Sequence, residues 1–205
     1  LRALDSYNKA LMIRKKHLGD KHPDLAAIYI NIGNVYELFG NNEKALEFYL
    51  KSLDIQIKAF GELHPSLINT YNNIGHIYFK MQRFEEAHKL YKLTVDISSK
   101  QNPMSPLVAE MYMNLAQSLF EQNKYAEAVE AYEKSLDITL VATPDDHSRI
   151  STTHKKLALA YERVGNTSEA ERHMSFATNV SFPHISKLSL NNTSYISMPK
   201  IDYHR

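Results

Sequence analysis

The stretch Leu18-Gly19-Asp20-Lys21-His22-Pro23 recurs 42 residues later as Phe60-Gly61-Glu62-Leu63-His64-Pro65. A fixed period of this size confines the chain to a repeat architecture, in which each unit buries its apolar face against its neighbours. The offset persists past the loop. Tyr29, Asn31, Ile32, Gly33 and Tyr36 are matched by Tyr71, Asn73, Ile74, Gly75 and Tyr78, then, with one residue deleted, by Tyr112, Asn114, Leu115, Ala116 and Leu119, and last by His154, Lys156, Leu157, Ala158 and Tyr161. The fourth copy has diverged most. A second half-motif follows each of these: Ala45 with Tyr49 and Ser52, Ala87 with Tyr91 and Thr94, Ala128 with Tyr132 and Ser135, Ala170 with Met174 and Ala177. Ala3, Tyr7 and Ala10 fit the same half-motif, so the chain is expected to open inside the second helix of a further unit and to be a piece of something longer.

Spacings of three, four and seven place each set on one face of an amphipathic helix. Each unit is therefore expected to be a pair of antiparallel helices. Glycine inside a helix costs about 1 kcal/mol relative to alanine, so Gly33 and Gly75 imply close helix contact. The reading is of backbones brought together at Gly33, Gly75, Ala116 and Ala158 against Ala45, Ala87, Ala128 and Ala170, with aromatic rings filling in beside them. Gly40-Asn41-Asn42, Gln122-Asn123 and Gly165-Asn166-Thr167 stand between paired helices, where chain reversal needs termination and capping residues. Pro23, Pro65 and Pro106 open successive units, where a missing N–H is harmless.

This pattern resembles the tetratricopeptide repeat, through Tyr29, Ile32, Gly33, Tyr36, Ala45 and Tyr49 and their equivalents. The standard unit has 34 residues. The longer period here, joined by Leu18-Gly19-Asp20-Lys21-His22-Pro23-Asp24, resembles more narrowly the repeats of kinesin light chains. The resemblance implies an all-α right-handed superhelix, an α-solenoid. Its array would cover residues 1–180, as a second helix at 1–17 and units near 22–60, 64–101, 105–141 and 147–179, with a tail or linker over 181–205.

In such an array the first helices form a concave wall that accepts an extended segment or a helix. Relative to the small residue of each unit, the positions three and two before it and one and five after it should face the groove. They are Ile30, Asn31, Asn34 and Leu38; then Asn72, Asn73, His76 and Lys80; then Met113, Asn114, Gln117 and Glu121; then Lys155, Lys156, Leu159 and Arg163. Asn31, Asn73 and Asn114 form a ladder of amides, which both donate and accept and so can pair with the backbone of any peptide. The ladder also resembles the groove asparagines of kinesin light chains. Lys155, Lys156 and Arg163, with Lys80 nearby, make one end basic. Kinesin light chains take short peptides with aromatic and acidic residues, so the resemblance implies such a ligand, its acidic part toward the fourth unit. A terminal-carboxylate clamp is disfavoured, because Ile30 stands where that clamp's first lysine belongs.

Other chemistries find little support. Lysine and arginine number 24 against 23 aspartate and glutamate, which gives no electrostatic case for nucleic acid or anionic membrane. There is no cysteine, hence no disulfide framework and no thiolate metal site or nucleophile. No apolar run approaches the roughly 18 residues that span a bilayer, and the start lacks the regions of a signal peptide. A cytoplasmic location is the expectation, with no cofactor or metal. His22, His64 and His147 sit in equivalent loops and read as turn residues. The chain lacks the His-Glu-x-x-His, phosphate-loop and Gly-x-Ser-x-Gly motifs, so catalysis is not expected. Asn166-Thr167-Ser168 and Asn192-Thr193-Ser194 fit the glycosylation sequon without a secretory context. Two further readings stay open: a regulatory or targeting arm of a larger multidomain enzyme, and self-association through the first helix. In the tail, Ile185, Leu188, Leu190 and Ile196 are candidates to cap the last unit, while Pro183 and Pro199 oppose a helix.

Overall fold

A computed structural model describes residues 2–179; the tail over 181–205, with its candidate capping residues, lies outside the described residues. Among the described residues the regular structure is helical throughout: α1 (Arg2–Leu18), α2 (Asp24–Leu38), α3 (Asn42–Phe60), α4 (Ile68–Lys80, preceded by a 3-10 turn at Pro65–Leu67), α5 (Phe84–Gln101), α6 (Pro106–Glu121), α7 (Tyr125–Ala142), α8 (His147–Arg163) and α9 (Thr167–Asn179). Each helix packs on the next in chain order, most extensively within the pairs α2–α3, α4–α5, α6–α7 and α8–α9. The result is an α-solenoid of helix pairs.

Local chemistry accounts for the boundaries. Asn41 Oδ1 accepts from the Lys44 N–H (3.0 Å) and Asn166 Oδ1 from the Glu169 N–H (3.3 Å), each satisfying a donor left over at the start of a second helix. At the openings of the first helices different side chains satisfy backbone donors. His22 Nδ1 accepts from the Asp24 N–H, His64 Nδ1 from the Ser66 N–H, Ser105 Oγ from the Val108 N–H and Asp146 Oδ1 from the Arg149 N–H. His22 and His64 are thus turn residues; in the fourth unit Asp146 performs the capping, while His147 is already the first residue of α8. Within each pair the chain reverses through a left-handed residue: Gly40, Gln82, Asn123 and Gly165. The residue after it closes the turn by donating to a carbonyl five positions back, as Asn41 to Tyr36 and Arg83 to Tyr78.

The glycines in the first helices have a more specific cause than backbone approach. A Cβ on Gly33 would lie 2.6 Å from Cε1 of Tyr49, and one on Gly75 would lie 2.8 Å from Cε1 of Tyr91. The ring of the second-helix tyrosine lies over the glycine, so the tyrosine itself, and not the neighbouring alanine, requires the missing side chain. Ala45, Ala87, Ala128, Tyr49, Ile32, Ile74 and Leu157 are buried as the periodicity requires. Pairs are tied further by Ser52 Oγ donating to the Ala26 carbonyl (3.0 Å) and Ser135 Oγ to the Ala109 carbonyl (2.7 Å). In the fourth pair the direction is reversed: Ser151 Oγ donates to the Ala177 carbonyl at 2.8 Å.

Candidate functional site

The helices α2, α4, α6 and α8 stand side by side, and polar side chains cross each seam between them. At the first seam, Lys80 Nζ donates to Glu37 Oε1 (2.7 Å) and His76 Nδ1 lies 3.1 Å from the same oxygen. At the second, Asn114 Nδ2 donates to Asn72 Oδ1 (3.0 Å). At the third, Lys156 Nζ donates to Gln117 Oε1. These contacts join different positions of the repeat: Glu37 lies one place before the equivalent of Lys80, Asn72 one place before that of Asn114, and Gln117 three places after that of Lys156. Asn31, Asn73, Asn114 and Lys156 are all half-buried, flanked on their own helices by the buried Ile32, Ile74, Leu115 and Leu157.

Not every nominated residue is open to a ligand. Tyr49 reaches past Gly33, its hydroxyl lying 2.6 Å from Asn34 Oδ1 and 2.8 Å from Glu37 Oε2. Having one proton, it can donate to only one of them, and the carboxylate is the stronger acceptor. Tyr132 likewise donates to Gln117 Oε1 (3.0 Å), and Gln117 Nε2 donates to Glu121 Oε1 (2.9 Å). Gln117 thus links the wall to the second helix behind it, while Asn34 stays exposed beside the Tyr49 hydroxyl. Arg163 lies over the rings of Phe120 and Tyr125, 6.0 and 5.8 Å from their centroids. Lys155 stays exposed. Of the four cations assigned to the groove, Lys80, Lys156 and Arg163 bridge to the preceding unit.

Glu37 is the residue the repeat pattern did not reveal. Its side chain is 17% exposed and meets Lys80, His76 and Tyr49 together. Burial alone would raise its pKa, but the hydrogen bonds from Lys80 and Tyr49 outweigh this and hold it below the ordinary carboxylate value. Burial and the neighbouring Lys80 depress His76, with Glu37 opposing them. Burial also lowers Lys156, partly offset by Glu121.

At the third seam the wall opens into a hollow of about 230 Å³, lined by Ala109, Glu110, Met113, Arg149 and Lys156 with Ser135 behind. The cause is local. Asn114 finds an amide partner in Asn72, but Lys156, at the same position one unit on, faces Met113, which offers no comparable acceptor, and turns to Gln117 instead. A larger hollow, about 440 Å³, lies elsewhere, between the α1–α2 loop and α3, around Asp20, Lys21, Tyr29 and Asp54. Among the described residues no group of histidines and carboxylates could hold a metal ion, and no helix is long and apolar enough to cross a membrane.

Paired helices stacked at a constant interval, with one wall built from equivalent faces, define an α-solenoid scaffold. The sequence model of the tetratricopeptide repeat matches residues 1–58, 27–100 and 107–177. The chain belongs to the tetratricopeptide repeat family, whose arrays serve as protein-interaction scaffolds. No curated protein sequence matches it. Among solved structures it is similar to BtubC (BKLC) from P. vanneervenii, at 26% identity and a TM-score of 0.79 over 85% of this chain and 70% of that one. It is also similar to a Podosopora anserina protein with nearly identical TPR-like repeats, assigned to the kinesin light chains (23% identity, TM-score 0.76, 88% and 86% covered). A third is MamA (20% identity, TM-score 0.64, 88% and 91% covered). The last two likenesses are of fold alone.

Proposed function

We propose that the wall formed by α2, α4, α6 and α8 holds an extended or helical segment of a partner protein, making the chain a peptide-binding adaptor of kinesin-light-chain type. The observation that carries this reading is the recurrence of a half-buried amide at Asn31, Asn73 and Asn114. Half-burial fixes such a side chain while leaving polar atoms for a ligand, and an amide serves a peptide N–H or C=O without regard to sequence. Asn72 and His76 flank the series. The exposed Lys155, with the Arg149 and Lys156 rim of the hollow at the third seam, supports a ligand whose acidic part lies toward the fourth unit.

An array of immobilised peptides, each with a central aromatic residue flanked by acidic ones, tests the reading against scrambled and charge-reversed controls. Selected peptides should bind with micromolar affinity, on the order of 8 kcal/mol. Binding that survives alanine at Asn31, Asn73 and Asn114 together would overturn it.

A further inference from the structure

In the fourth pair, two imidazoles stand where the first unit has two aromatic rings, while Leu90 and Ala131 hold the His173 position in the second and third units. His154 occupies the place of Tyr29, Tyr71 and Tyr112, and His173 that of Phe48. In the first pair Tyr29 and Phe48 pack with centroids 6.1 Å apart at 35°. In the fourth, His154 and His173 pack at 5.1 Å and 41°, and their Nδ1 atoms are only 2.9 Å apart. His154 is 8% exposed, and the side chain of His173 is 12% exposed. Phe176 of α9 lies 5.3 Å from the His154 ring, and Tyr161 of α8 stacks on His173 at 5.4 Å. The contact therefore sits inside the packing that holds α9 on α8.

We propose that the His154–His173 pair is an acid-released latch, which keeps α9 docked at neutral pH and lets it go when both rings become charged. A bond between two Nδ1 atoms requires one to carry a hydrogen and the other to offer its lone pair. The pair is complete when both rings are neutral. A first proton can enter at Nε2 of the donating ring without breaking the bond. If that ring is His173, Glu169 Oε2 lies 3.9 Å from its Nε2. A second proton must go to the accepting Nδ1, which places two N–H groups and two positive charges against each other. The groups facing the pair are few: Glu169 and Arg172 from α9, Tyr161 from α8, and Glu133 of α7, which accepts from the Tyr161 hydroxyl. Glu169 and Glu133 favour charge on His173, and Arg172 opposes it. Burial and the neighbouring His173 push His154 down to about 4.

Both rings have depressed values, so the latch contributes fully above about pH 6.5 and is lost as pH falls toward 4. Each unit of separation is tenfold in the equilibrium. Among the described residues α9 packs chiefly on α8, so it can be released as a unit. Lys155 and Lys156 lie on α8, so on the proposed reading of the wall its basic end would loosen together with α9.

Amide hydrogen exchange, corrected for intrinsic rates, tests this on the full chain. Protection in α9 should fall by one to two orders of magnitude between about pH 7 and pH 4.5, and protection in α6 and α7 much less. His154→Tyr combined with His173→Phe recreates the Tyr29–Phe48 pair and should remove the difference. Nitrogen chemical shifts of the wild-type imidazoles give a readout independent of that variant: one ring should titrate far below its ordinary value. Two independent titrations near 6.5, or equal loss of protection in α7 and α9, would overturn the latch. Failure of peptides to bind at any pH would count against the adaptor reading and leave the latch intact.

Discussion

The ring of Tyr49 occupies the space that a side chain on Gly33 would need, with Cε1 only 2.6 Å from the ideal Cβ position. Tyr49 has no freedom to retreat, being fully buried and held at its hydroxyl by Glu37. Gly33→Ala should therefore destabilise the chain by about 1–3 kcal/mol through overpacking, although alanine is the better helix former by about 1 kcal/mol. Ala116→Gly, at the equivalent place in the third unit, should cost about 2 kcal/mol, from helix propensity and the loss of a buried methyl group. Urea denaturation of both variants checks that each exchange destabilises, in opposite chemical directions.

Glu37 accepts from Lys80 and Tyr49 and has His76 beside it, so Glu37→Gln should cost about 1–3 kcal/mol at neutral pH. The sign of the pH effect follows from the direction of its shift. Its folded value lies below 4.5, so its contribution is complete above about pH 4.5 and disappears as pH falls through the lower folded value. His76, depressed from 6.5, also loses its contribution toward acid. The stability gap between wild type and Glu37→Gln should thus narrow below about pH 4.5, measured by denaturation across pH.

Lys155, Arg163 and Lys156 should separate by what they touch. Lys155→Glu is expected to weaken an acidic peptide severalfold and leave the unfolding midpoint unchanged, because the side chain is exposed. Arg163→Glu should also lower the midpoint, since it removes the guanidinium from Phe120 and Tyr125, a contact worth roughly 0.5–1 kcal/mol at an exposed site. Lys156→Glu should be the most disruptive, placing a half-buried carboxylate beside Gln117 and Glu121. Anisotropy titrations paired with thermal melts separate the two effects.

What the sequence made legible is whatever recurs. The 42-residue offset placed the buried tyrosines, the small residues opposite them, the turns and the capping histidines, because a buried contact repeated in every unit imposes the same residue type each time. Contacts made once leave no such trace. Glu37 has Phe79, Phe120 and Glu162 at nominally related positions, so its role at the first seam could not be read from periodicity. The same holds for Asp146, where an extra residue shifted the cap from His147, and for the His154–His173 contact, visible only as a departure from tyrosine. The groove positions were assigned from helix geometry, which fixes a direction but says nothing about which side chains bond to one another first.

The side-chain amide resonances of Asn31, Asn73 and Asn114 report on the proposed wall most directly. In a nitrogen-15 titration with a peptide selected from the array, all three should shift together and saturate at one affinity. Asn114 should show in addition the change in its bond to Asn72. A peptide that binds while these amides stay fixed, with shifts confined to α3, α5 and α7, would contradict the account.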